Sequence, residues 1–209
     1  MTLFAFTTVV LLGQFPIDAN PAAFETLETS KGLTVSGRTV PASPYREYRV
    51  ETRTPHAVND LCVAIFEWAT GGVDLPGVVA SKVLASSEND RVIYAQLSFP
   101  IVSKRDYTLS MKREWLAEGR CRIRFRTTTE GAPPTPSGFV RMEKLWGEWD
   151  LVTDPAGGSR LTHTLFSDPA GSVPSFLVHG DQKASTRDSV TRALEKTRVY
   201  VEKKASLQR

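Results

Sequence analysis

Two hydrophobic periods divide the chain. Residues 105–113 (RDYTLSMKR) alternate, with Tyr107, Leu109 and Met111 on one face and Asp106, Thr108, Ser110 and Lys112 on the other, the two-residue repeat of a half-buried strand. Residues 120–127 (RCRIRFRT) repeat this more sharply, setting Cys121, Ile123 and Phe125 against Arg120, Arg122, Arg124 and Arg126. Residues 32–40 and 45–54 read as strands on either side of a turn at Pro41 and Pro44, and residues 78–86 and 91–99 as a hairpin around Glu88, Asn89 and Asp90. Residues 139–152 continue the strand pattern with a parity shift that predicts a bulge at Gly147, and in residues 159–166 Leu161, His163 and Leu165 share a face. Residues 114–119, carrying Trp115 and Leu116, and the Pro-rich residues 132–138 read as loops.

Elsewhere the period lengthens. Ala57, Val58, Leu61, Cys62, Ile65 and Trp68 fall at helical spacing over residues 55–70, with Pro55 placed to start the helix and Gly71 and Gly72 to stop it. Beyond Pro174, a stripe of Phe176, Leu177, Ala184, Val190, Leu194 and Val201 predicts a helix of about 25 residues. The order is two strands, a helix, some six further antiparallel strands and one long helix. That is an α+β chain, and its simplest packing is a curved antiparallel sheet wrapped around the C-terminal helix. Such a grip leaves concave volume between sheet and helix, where a pocket can form.

The N-terminus stands apart. Residues 3–12 (LFAFTTVVLL) are wholly apolar or hydroxylated. The run is too short for the ~20 residues of a membrane span, but it has the length of a signal peptide's apolar region, with Ala19 a small residue before a cleavage point. No Lys or Arg precedes it. Residues 1–19 are therefore expected to be a signal peptide, against the alternative of a first element docked on the core, and residues 20–209 a single domain. The protein is then periplasmic or secreted; without a signal it is cytoplasmic.

Composition narrows the function classes. At 209 residues and 41% hydrophobic, the chain has surface enough to bury that it needs neither metal nor disulfide to fold. A net charge of +3 is too small to argue for nucleic acid. Cys62 and Cys121 stand 59 positions apart with no metal-binding spacing around them. They read as two buried thiols, which an exported chain could join.

Four stretches have a further pattern. Residues 32–49 (GLTVSGRTVPASPYREYR), 99–107 (FPIVSKRDY), 133–151 (PPTPSGFVRMEKLWGEWDL) and 168–179 (DPAGSVPSFLVH) resemble, in order and spacing, the START (steroidogenic acute regulatory protein related lipid-transfer) family of the helix-grip superfamily. Residues 99–107 are similar to the family's RDF signature, with Tyr107 in place of Phe. The resemblance covers about residues 24–200. It implies a helix-grip domain with an apolar tunnel closed by the C-terminal helix and neighbouring loops, no catalysis and no cofactor. Some sterol-binding members carry an acid-paired Arg six positions after the signature Arg; here Met111 stands there, which weakens a sterol assignment.

The expected ligand wall is Tyr107, Leu109, Met111, Ile123, Phe125, Trp149, Leu161, His163 and Leu165 from the strands, with Phe176, Val190 and Leu194 from the last helix; the other reading of these inward residues is a solid core. His163 is either a partner for a ligand hydroxyl or head group, or a histidine satisfied by a neighbouring side chain. Arg105 and Asp106 read as a structural pair tying a loop, with one of the two inward. The row Arg120, Arg122, Arg124 and Arg126 is either an anionic-membrane contact or a solvated face paired with carboxylates such as Glu143. Without interleaved aromatics it does not suit nucleic acid.

The expected activity is noncatalytic binding, with transfer, of a lipid or other hydrophobic ligand by a monomer. In that reading the C-terminal helix and the loop at 114–119 act as the gate. Two other readings compete. An enzyme resembling polyketide cyclases and aromatases would need His163 and Tyr107 as its acid/base pair, and a small-molecule sensor or partner-binding domain would have a small or filled cavity.

Overall fold

The computed structural model describes residues 15–71, 74–75, 77–98, 103–116, 119–171 and 173–208. The chain runs α1 (Pro16–Ala19), β1 (Glu25–Ser30), β2 (Leu33–Thr39), β3 (Arg46–Thr54), α2 (Val58–Gly71), β4 (Val78–Ser86), β5 (Asp90–Leu97), β6 (Lys104–Trp115), β7 (Arg120–Thr127), β8 (Phe139–Arg141), β9 (Lys144–Thr153), β10 (Ser159–Asp168) and α3 (Ser175–Ser206). The strands form one sheet in the order β1-β2-β3-β10-β9-β7-β6-β5-β4, with β8 beside β6. Every pairing is antiparallel except that of β8 with β6. One face of the sheet receives α2 and α3, which also pack on each other. This is the α+β helix-grip architecture expected from the two periods.

Alternation sets the inward face. Cys121, Ile123 and Phe125 of β7, Trp149 and Leu151 of β9 and Leu161 and His163 of β10 are buried at every second position. From the other side α2 buries Leu61, Cys62, Ile65 and Phe66 completely. The two cysteines are joined: a disulfide ties α2 to β7, with Cα atoms 6.1 Å apart. This replaces the expected pair of free thiols, because the helix lies directly across the strand that carries its partner.

Three element expectations are corrected. β1 was not visible in the sequence, since ETLETS offers one apolar residue, Leu27, and that residue is 41% exposed on an edge strand. Residues 139–152 are two strands. The parity break falls at Met142, whose N–H bonds the Asp106 carbonyl (2.9 Å) as the chain leaves β6 for β7 and β10. Gly147 is therefore no bulge: it pairs in register with Phe125 and Leu165. A Cβ there would stand 2.3 Å from the Phe125 ring and 2.7 Å from the Thr164 carbonyl, so the glycine makes room for an aromatic. Finally, α3 has 32 residues, longer than expected. Among its described side chains the buried positions are Thr186, Ser189, Val190, Ala193 and Thr197, so of the expected stripe Val190 is buried and Leu194 packs against the core, but three of the five buried positions are hydroxylated.

Of the expected signal peptide, residues 1–14 lie outside the described residues. Residues 15–19 are packed on the outer face of the sheet: Ile17 gives its carbonyl to Arg38 (2.9 Å), and Asp18 pairs with Arg124 (3.0 Å).

Candidate functional site

Between the sheet and α3 lies a cavity of about 580 Å³. Its floor is the inward face of the central strands: Ile93, Ala95 and Leu97 of β5; Tyr107, Leu109 and Met111 of β6; Phe125 of β7. Leu145 and Trp149 of β9 and Leu165 of β10 continue it, and Trp68 and Ala69 at the end of α2 close one side. The roof is different in kind. From α3 it receives Val178 and Ala184, but also Asp181, Gln182, Ser185 and Ser189. An apolar floor facing a hydroxyl- and amide-bearing roof suits an amphiphile better than a pure hydrocarbon.

Two titratable groups of the floor, Tyr107 and His163, are kept neutral by burial. The Tyr107 phenol is pushed up to about 12 by desolvation alone. His163 is 2% exposed, and burial pulls its imidazole from 6.5 down to about 3, only partly opposed by the bond to the Glu148 carbonyl. That bond, 3.1 Å from Nδ1, requires Nδ1 to carry the proton, which leaves Nε2 as the ring's acceptor. Further polar atoms of the wall have no partner among the described residues: the Trp68 Nε1 donor, Ser81 Oγ and Gln182 Oε1. Buried polar atoms of this kind carry a desolvation cost that a ligand can relieve. Among the described residues no group of three or more His, Cys, Asp or Glu side chains is placed to hold a metal.

Arg105 and Asp106 part company across the strand. Arg105 joins the cavity wall and donates to the main-chain carbonyls of Ser103, Pro169 and Ala170, so it fixes the loop that leads into α3. Asp106, on the opposite face, is also fully buried, because β8 brings Arg141 against it in a two-pronged pair (2.7 and 2.8 Å) with the Tyr94 hydroxyl beside them. Both members are buried, where alternation alone predicted one.

The expected wall is divided. Tyr107, Leu109, Met111, Phe125, Trp149, His163 and Leu165 line the cavity. Ile123, Leu161, Val190 and Leu194 do not: the first three are completely buried in the core, and Leu194 packs against it. Parity places a residue on the inward face but does not say whether a helix already covers it there. The Phe176 side chain lies outside the described residues. Of residues 114–119, expected as a loop, Glu114 and Trp115 instead end β6, paired with Arg122 and Cys121, and residues 114–116 and 119 contribute nothing to the wall. The arginine row is largely neutralised. Arg120 pairs with Asp150 (2.8 Å), Arg122 and Arg124 with Glu148, and Arg124 also with Asp18, while Arg126 is exposed. The partners are these carboxylates and not Glu143. Sequence reasoning missed Trp68, Ser81 and Gln182, since a tryptophan at helical spacing and two polar residues carry no signal for a cavity.

Residues 80–194, more than half of the chain, match the START domain family. An uncharacterized protein of Pseudomonas aeruginosa is 25% identical over 201 residues, 90% of this chain and 96% of that one. Phosphatidylcholine transfer protein of Mus musculus is 30% identical over 104 residues, 47% of this chain and 49% of that protein. Among solved structures, a STAR-related lipid transfer protein fragment from Xanthomonas axonopodis superposes with a TM-score of 0.74 at 27% identity, covering 84% of this chain and 98% of that one. Human StAR-related lipid transfer protein 5 shares the fold, with a TM-score of 0.70 at 15% identity over 88% of this chain and 90% of that one. With the sheet closed by a long C-terminal helix and the match extending from β4 into α3, the chain belongs to the START domain family.

Proposed function

We propose that the protein binds a lipid without chemical turnover in the cavity between sheet and α3, and carries it between membranes with α3 as the door. The observation that carries this is the contrast between the two walls. The floor removes apolar ligand surface from water at roughly 25 cal/mol per Å². Among its described side chains the roof helix fully buries Thr186, Ser189, Val190, Ala193 and Thr197, three of the five hydroxylated, so lifting it exposes less apolar area than a helix with a large aliphatic stripe would. The start of α3 is held by hydrogen bonds instead: the Tyr45 hydroxyl donates to the Val173 carbonyl just ahead of the helix (2.8 Å) and the Tyr48 hydroxyl to the His179 carbonyl within it (3.2 Å).

The same cavity is poorly equipped for acid/base chemistry. An efficient proton shuttle titrates near working pH, whereas burial moves His163 to about 3 and Tyr107 to about 12, so neither changes protonation near neutrality. The disulfide between Cys62 and Cys121 suits an oxidising compartment and supports export to the periplasm or beyond. The arginine row has no part in this reading, since three of its four members are already paired.

The test is organic extraction and mass spectrometry of natively purified protein, followed by a transfer assay between donor and acceptor vesicles. A co-purifying lipid that the protein moves between vesicles is the expected result. Turnover of an added polyketide, or an empty protein that binds no amphiphile, would overturn the proposal.

A further inference from the structure

Arg105 is 3% exposed and part of the cavity wall, yet no carboxylate among the described residues forms an ion pair with it. Asp168, the acid that begins the loop beside it, accepts from the Ala170 N–H (2.9 Å) and forms no ion pair with Arg105. The other buried arginine among the described residues, Arg38, has a counter-charge in Glu47. Arg105 has only carbonyls, one on each nitrogen, Pro169 at 3.1 Å and Ala170 at 3.3 Å among them. A guanidinium carries five N–H groups, so two remain unused. A buried charge with dipoles but no opposite charge is costly, and burial accordingly pulls this guanidinium below its usual range.

The loop that supplies the carbonyls is itself held in an unfavourable conformation. Ala170 has φ +57 and Gly171 φ +69, a region that costs an alanine roughly 1 kcal/mol or more, and Asp168 fixes it by accepting from the Ala170 N–H (2.9 Å). Strain and a guanidinium without an ion-pair partner meet at one end of the cavity. From there β6 runs six residues to Met111, roughly 20 Å at ~3.3 Å per residue, ending near Phe125, which pairs with it.

We propose that Arg105 is the anion receptor of this cavity, and that the ligand is an amphiphile whose carboxylate or phosphate-monoester oxygens supply the missing counter-charge. The unused N–H groups of the fork donate to the head group, and the chain lies along the floor toward Met111 and Trp149. This rests on the lipid-binding reading and narrows it.

The probes are myristate, tetradecyl phosphate, 1-tetradecanol and phosphatidylcholine vesicles, each titrated into the full chain by tryptophan fluorescence. One or both anions should bind at least about tenfold more tightly than the alcohol, the span of one charge-assisted contact, and the tighter anion names the head group. Arg105→Gln should bring acid and alcohol within about twofold, and Arg105→Lys should keep part of the preference. If Arg105→Gln does not fold, the wild-type ratio and Arg105→Lys decide. Equal affinity for acid and alcohol, or a preference that survives Arg105→Gln, overturns the inference. Binding of phosphatidylcholine alone overturns it while leaving the lipid carrier intact, and binding of none of the four overturns both.

Discussion

His163 lies flat on the indole of Trp149, with ring centroids 3.7 Å apart and planes 11° from parallel. The stack is made on the cavity floor by two residues directly opposite each other on β10 and β9, and it holds the imidazole where water cannot stabilise its charge. The pulled-down value, about 3, makes the fold acid-sensitive. Between pH 3 and 6.5 the unfolded chain binds a proton at this histidine and the folded chain does not, so stability rises with pH through that window and levels off above it. From pH 7 to pH 5 this one group should cost about 2 kcal/mol. Urea titrations of the parent and of His163→Gln at the two pH values check it. The parent should lose about 2 kcal/mol more than the variant, and equal losses would show that His163 protonates freely in the folded state.

The bridge between Cys62 and Cys121 closes a loop of 59 positions, long enough for roughly 4 kcal/mol of stabilisation through the unfolded chain. Both cysteines are fully buried, so reduction should be slow in the folded protein and fast once it opens. The double variant Cys62→Ala, Cys121→Ala is expected to unfold at a clearly lower urea concentration, with a loss of about 2–4 kcal/mol. A midpoint unmoved by dithiothreitol, with two thiols counted under denaturing conditions in both samples, would mean that the pair is reduced in solution.

On the outer face, Arg38 gathers the N-terminal segment. Its guanidinium pairs with the buried Glu47 and also donates to the carbonyls of Ile17, Asn20 and Ala22, while Phe24 lies between it and Arg49. A protein beginning at Asn20 keeps two of those carbonyls but loses Ile17, the Asp18 pair with Arg124 and the Phe15 ring against Arg124. It should be about 1–2 kcal/mol less stable than one beginning at Phe15. Comparing their thermal melts decides whether cleavage after Ala19 is compatible with this packing, and identical melts would show that residues 15–19 contribute nothing.

Alternation made much of the sheet readable. β7 showed its two faces because every second residue is charged, and the long helix was visible from its change of period. Depth was not readable. Ile123 and Phe125 share a face, but α2 covers the first and the cavity opens at the second. The buried side of α3 was hidden for a chemical reason: Thr186, Ser189 and Thr197 each satisfy their hydroxyl on the carbonyl four residues back, at 2.7 to 2.9 Å. They can therefore be buried without an apolar signature. Gly147 misled because the residue that explains it, Phe125, lies on another strand. For Arg105 the sequence showed an acid next door, but not that Arg141 takes it from across β8.

The door can be tested where it is hinged. Tyr45 is almost fully buried, and its hydroxyl holds the Val173 carbonyl just ahead of α3. Tyr45→Phe keeps the ring and its packing but removes that bond, worth about 1 kcal/mol. If α3 must lift for a lipid to leave, the bond is broken in the open state and intact in the closed one, so its loss favours opening by nearly its full value. Exchange of a fluorescent fatty acid between protein and vesicles should then be about fivefold faster, while the melting temperature falls by only a few degrees. Tyr48→Phe, which frees the His179 carbonyl six residues further along, should act in the same direction, and the two together should be faster than either. An exchange rate unchanged in the double variant would place the exit elsewhere than at α3, since no opening that breaks these bonds can be indifferent to their removal.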